Sequence, residues 1–152
     1  MPSEKVGEAE LRFANGLPAG TAQLRRGAEQ VTLSVAVTGM SPGAHGFHLH
    51  TVGRCDAPGF TSAEGHLNPR GRNHGSLSDG GSHLGDLPNI AVSSNGSGTA
   101  NVVVGGQRDA VLDEIFDADG TAVIVHADPD DYRTDPSGNA GARIACGVLR
   151  EG

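Results

Sequence analysis

The sequence predicts an all-β protein, a sandwich or barrel of about eight short strands interrupted by two long loops. Three observations predict it. Apolar and polar residues alternate in short stretches along the chain, the period of a strand with one buried face. Glycine is frequent, 24 of 152 residues, while aromatic residues make up 3% and tryptophan is absent. Such a chain builds its core from Val, Ile, Leu and Ala and turns often. No stretch carries a confident helical period. The length suits one domain with a single core, spanning residues 1–152.

The elements follow in order. From Glu8 to Ala14, Ala9, Leu11 and Phe13 share one face, and Asn15-Gly16 and Pro18 end the strand. Thr21 to Arg26 forms a second strand. Val31, Leu33, Val35 and Val37 alternate with Thr32, Ser34, Ala36 and Thr38, the cleanest strand in the chain. A turn at Gly39-Met40-Ser41-Pro42-Gly43 leads into Gly46-Phe47-His48-Leu49-His50. Leu87–Val92, Thr99–Val104, Thr121–His126 and Arg143–Leu149 supply the remaining strands, and Leu112–Phe116 is a short apolar patch. From Gly53 to about Gly85 all periodicity is lost. A loop this long inside a compact domain calls for a function or a ligand to order it. A second polar loop runs from Ala127 to Ala142.

The formal net charge of -7 argues against nonspecific nucleic-acid binding. No apolar run has the length to cross a bilayer. Met1-Pro2-Ser3-Glu4-Lys5 lacks the apolar core of a signal peptide, so the expectation is a cytosolic chain or a mature form without its leader. The two cysteines, Cys55 and Cys146, lack metal-finger spacing. They read as two buried thiols or as one long-range disulfide. If paired, they close most of the chain into a loop, with stabilisation on the order of 4–5 kcal/mol in the loop-entropy treatment. A disulfide would also imply an oxidising compartment.

The candidate chemistry lies in the histidines. His48 and His50 are two apart on one strand, so both rings reach toward one spot while Phe47 and Leu49 face the core. Neutral imidazole is a common ligand of copper and zinc. His66, His74 and His83 stand in the first loop, which otherwise has no reason to be ordered. His126 ends a strand beside the second loop, and Asp86 follows His83 closely. Any one of these alone reads as a surface or hydrogen-bonded core residue. The set reads as a metal site with nitrogen and carboxylate donors.

These segments resemble the copper/zinc superoxide dismutases. The matching stretches are Gly46–His50, Gly65-His66-Leu67-Asn68-Pro69, Asn73-His74-Gly75, His83-Leu84-Gly85-Asp86-Leu87-Pro88, Val125-His126 and Gly138 to Val148. The resemblance implies an eight-stranded antiparallel Greek-key β-sandwich or barrel with two functional loops. It implies one copper held by His48, His50, His66 and His126, and one zinc held by His66, His74, His83 and Asp86. His66 would bridge the two, since a ring can bind at both nitrogens when two dications stabilise the deprotonated form. Asp130 would link the outer nitrogens of His48 and His74, against the plainer reading of a solvated loop acid beside Asp128 and Asp131. Arg143 would bind the incoming anion, against the plainer reading of a salt bridge to a loop acid. His45 has no metal role in the pattern and reads as a structural histidine hydrogen-bonded in the barrel.

The implied reaction is disproportionation of superoxide to dioxygen and hydrogen peroxide, with Arg143 and His66 as catalytic residues. His66 would release its copper bond and carry a proton toward the peroxide product. A Cys55–Cys146 bond would anchor the first loop to the Arg143 strand. Cys55, so soon after His50, resembles the placement in bacterial exported members. That implies a periplasmic or otherwise exported protein, with a cytosolic one as the alternative. The family uses more than one dimer interface, so a homodimer is compatible and neither nucleic acid nor membrane is an expected partner. One departure stands out: Lys5 is the only lysine, and the second loop sets a single arginine, Arg133, against Asp128, Asp130, Asp131 and Asp135 in its charge balance. Long-range attraction of the substrate should therefore be weak, unless Arg54, Arg70 and Arg72 compensate.

Overall fold

The computed structural model describes residues 4–68, 83–104, 108–132 and 140–151. Strands β1 (Glu4–Phe13), β2 (Pro18–Arg26) and β3 (Val31–Val37) form an antiparallel meander. Their inward residues, among them Ala9, Leu11, Leu24, Leu33 and Val35, alternate with exposed or half-buried neighbours, as their period of two requires. The Asn15-Gly16 turn works because Gly16 takes φ 85° and the Asn15 side chain accepts the Leu17 N–H at 3.0 Å.

Two short strands follow, β4 (Gly43–His45) and β5 (Phe47–His50); later come β6 (Ile90–Val92), β7 (Gly98–Val104), β8 (Ala122–His126), β9 (Arg143–Val148) and β10 (Arg150–Glu151). The main curled sheet runs β5-β8-β9-β1-β2-β3-β7, with β10 beside β1, and β4 pairs with β6 separately. Neighbours that are not consecutive in the chain mark long crossovers. One of them, between β5 and β8, brings two sequence-distant histidine strands together.

β8 is buried along its whole length. Val123 and Val125 face the main core, while Ala122 and Ile124 join Phe60, Ala63 and Cys146 in a smaller apolar cluster. The first loop thus covers the outer face of β8 and β9. The Cys55–Cys146 disulfide fastens it there, joining residues 91 apart in sequence.

The described residues contain one α-helix, α1 (Arg108–Ile115), where the sequence showed only an apolar patch at Leu112–Phe116. Its buried residues are Val111 and Ile115, a single i,i+4 pair. Two turns give too short a repeat for a helical period to stand out. Arg108 donates to the carbonyls of Gly27 and Ala28 at 3.3 and 3.0 Å, and Thr121 Oγ1 donates to Ile115 O at 2.7 Å, so one helix end is tied to the turn between β2 and β3 and the other to the residue just before β8.

Candidate metal centre

β5 is the platform. It pairs with β8 on one edge, setting His48 opposite Ile124 and His50 opposite Ala122. On its other edge the first loop lies alongside like a partial strand, with His50 opposite His66 and His48 opposite Asp86. Leu49 holds this arrangement, donating its N–H to Gly85 O at 3.0 Å and accepting Leu67 N–H at 2.8 Å. On β8, a register shift between Val125 and His126 places His126 opposite Arg143. Such irregularities re-aim a side chain at the end of a strand. Gly46 secures the junction: its carbonyl accepts His126 N–H at 2.7 Å and its N–H donates to Asp128 O at 2.9 Å.

The result is a buried cluster. One ring nitrogen from each of His48, His50, His66 and His126 lies within 4.8 Å of the others. His48 and His66 stack with centroids 4.0 Å apart, and His126 meets His48 edge-on at 5.0 Å. His66, His83 and Asp86 form a second group. Here His66 Nδ1 is 2.8 Å from Asp86 Oδ1 and 3.2 Å from His83 Nδ1, and His83 Nδ1 is 3.2 Å from the same oxygen. Donors about 2 Å from a tetrahedral ion sit about 3.3 Å from one another, so this spacing suits zinc. His66 belongs to both groups. His74 lies outside the described residues.

The outer nitrogens of the first group all face acceptors. His48 Nε2 donates to Asp130 Oδ2 at 2.7 Å, His50 Nδ1 to Glu64 O at 2.8 Å and His126 Nδ1 to Gly141 O at 3.1 Å. Each bond fixes the tautomer, so the inward nitrogen of each ring carries a lone pair rather than a proton. His50 Nε2 and His126 Nε2 are buried and make no hydrogen bond to protein. A buried imidazole nitrogen without a donor is costly unless a ligand meets it. Four nitrogens converging in this way fit copper.

Electrostatics keeps the rings neutral. Burial lowers His48 to about 3 against the partial counter-effect of its Asp130 bond. Burial likewise lowers His126 to about 4, with the charges of His66 and Arg143 pushing the same way and the Gly141 bond opposing them. His50 is held well below its ordinary value, again chiefly by burial. Neutral rings are the form that binds metal.

Asp130 is itself held in place. Its Oδ1 accepts Tyr132 N–H at 2.6 Å, and its backbone exchanges two hydrogen bonds with the Asn89 side chain at 2.8 and 3.0 Å. Asn89 N–H in turn donates to Tyr132 Oη at 2.9 Å. Asn89 and Tyr132 escaped the sequence reading; a lone Asn after a proline is ordinary turn chemistry.

Arg143 is half-buried, with Nη1 donating to Phe60 O at 2.8 Å and Nη2 to Glu64 O at 2.7 Å. Its guanidinium is thus set by backbone carbonyls. Burial pulls its proton affinity down, while the Glu64 carboxylate pulls it up. Outside the cluster, His45 lies between His126 O and Ser41 O, 2.7 Å from each. Arg70, Arg72, Arg133 and Asp135 are outside the described residues. Asp128 and Asp131 are exposed.

Comparison with known proteins agrees with this geometry. The family model described as copper/zinc superoxide dismutase matches residues 18–149. The chain is 41% identical over 145 residues to "Superoxide dismutase [Cu-Zn] 2" of Aquifex aeolicus (strain VF5), covering 93% of this chain and 85% of that one. A solved structure of a SOD-like protein from Bacillus subtilis superposes with a TM-score of 0.87 at 34% identity, covering 98% of this chain and 100% of the other. The Cu/Zn superoxide dismutase from Brucella abortus superposes with a TM-score of 0.75 at 26% identity over the same shares.

Proposed function

The chain belongs to the copper/zinc superoxide dismutase family, and from that premise we propose how its own residues divide the work. The enzyme converts superoxide to dioxygen and hydrogen peroxide, with copper and zinc as cofactors. Copper supplies the one-electron couple for this exchange, and zinc supplies charge without redox chemistry.

His48, His50, His66 and His126 hold copper. His66, His83 and Asp86, together with His74, hold zinc. Asp130 orients His48 through its 2.7 Å bond. Arg143 receives the substrate anion: its fork stays charged at working pH, and two carbonyls fix it beside His126. His66 moves the proton. Its Nδ1 is engaged by Asp86 and His83, so Nε2, on the copper side, is the atom that takes up a proton and delivers it to product.

The single observation that carries this reading is the membership of His66 in both donor groups. Metal analysis and activity test it. We expect about one copper and one zinc per chain, with superoxide-scavenging activity that depends on copper. Protein loaded with copper yet inactive would overturn it. The Cys55–Cys146 bond and the bacterial relatives also support an exported, periplasmic setting. Fractionation of native cells tests that, and a purely cytosolic protein would contradict it.

A further inference from the structure

We propose that Glu64 tunes how tightly this site holds small anions. Its backbone grips Arg143 and His50, and its carboxylate lowers the affinity of Arg143 for small anions. The inference rests on the reading of Arg143 as the anion-binding group.

The first observation is conformational. Thr61–Ala63 is one turn of 3₁₀ helix, and the residues flanking it, Phe60 and Glu64, have φ 57° and 62°. Glu64 combines that φ with ψ -155°, a region occupied essentially by glycine alone. A non-glycine residue persists there only where its surroundings over-determine it.

The second observation is what the conformation achieves. It turns two carbonyls onto the guanidinium: Phe60 O accepts from Nη1 at 2.8 Å and Glu64 O from Nη2 at 2.7 Å. Glu64 O also accepts from His50 Nδ1 at 2.8 Å. One peptide oxygen therefore positions a copper-side ring and the anion-binding arginine together. Glycine would offer the same oxygen at lower conformational cost. The backbone role does not explain the side chain.

The third observation concerns the side chain's charge. Glu64 is exposed, and its carboxylate acts on Arg143. The guanidinium is bonded to Glu64's own carbonyl, so the carboxylate belongs to the residue that seats it. Charges on adjoining groups act on one another over the roughly 8 Å screening distance at physiological ionic strength. An anion approaching Arg143 meets this negative charge as well. The effect acts on every small anion, so it weakens binding of inert competitors along with substrate.

Two variants separate the charge from the strain. In copper-loaded enzyme, Glu64→Gln should tighten azide binding about three- to tenfold, read from the visible absorption band, and leave the thermal midpoint of metal-free protein unchanged. Glu64→Gly should tighten azide similarly and raise that midpoint. Combining Glu64→Gln with Arg143→Ala should shrink the gain, because the anion then no longer docks against the residue that Glu64 seats. Unchanged azide affinity in both single variants overturns the charge role, and a lower midpoint for Glu64→Gly overturns the strain. If Arg143→Ala alone leaves azide binding intact, the reading of Arg143 fails, and this inference with it.

Discussion

Each imidazole proposed to hold copper has one nitrogen committed to a protein acceptor, and that commitment decides what the other nitrogen does. Asp130 is the acceptor most exposed to test, because it is a side chain rather than a carbonyl. Asp130→Ala leaves the His48 Nε2–H and the Tyr132 N–H without their carboxylate. Copper affinity should fall about 10- to 100-fold, measured by chelator competition, as losses of such supporting groups do. The same rings set the acid stability of the metal-free chain. Folding lowers His48 to about 3 and His126 to about 4, with burial the main cause. Below the ordinary histidine value of about 6.5 the unfolded chain therefore binds protons that the folded chain refuses. Stability is full above that pH and is lost as pH falls toward the folded values. Each ring contributes about 1.4 kcal/mol per pH unit across that window. Denaturant midpoints of metal-free protein from pH 7 to 4.5 should drop accordingly. A flat profile would mean the rings are solvated.

At the scale of elements, the centre exists because the first loop runs beside β5 as an added strand would. Gly85 makes that contact possible: a Cβ there would lie 2.2 Å from Leu49 O and 3.0 Å from Leu67 N. Gly85→Ala must push the backbone away, and with it His83 and Asp86. We expect loss of zinc binding and destabilisation of about 3 kcal/mol or more. Gly65→Ala, in the same loop with open space around it, should change the midpoint little, which separates local crowding from a general dislike of substitution. The sequence showed much of this. Alternation exposed the long strands and the His48/His50 face, and the aperiodic loop with spaced histidines announced that something orders it. Helix α1, β4 and β10 stayed hidden because each is too short for a period to build up. Phe60 O, Glu64 O and Gly141 O stayed hidden for another reason. Every residue has a carbonyl, so only the fold reveals which ones meet an imidazole or a guanidinium.

At the scale of the molecule, charge and chemistry pull in opposite directions. The chain carries a net charge of -7 and must attract an anion. Lys5, its only lysine, is paired with Glu8 at 3.1 Å. Asp128 and Asp131 expose negative charge on the second loop. In the reading proposed above, Arg143 provides attraction at short range, and the carboxylate of Glu64 partly counters it. Steering that acts over a distance needs a positive field extending beyond the site, and such a field makes the rate fall steeply as salt screens it. Here the far field is negative and the near field positive, so screening removes a repulsion and an attraction together. The catalytic rate should therefore vary little with ionic strength between about 0.01 and 0.15 M, where the screening length shrinks from about 30 to about 8 Å. Pulse radiolysis across that range measures it directly. A steep decline would show that arginines elsewhere on the surface build a guiding field the total charge conceals.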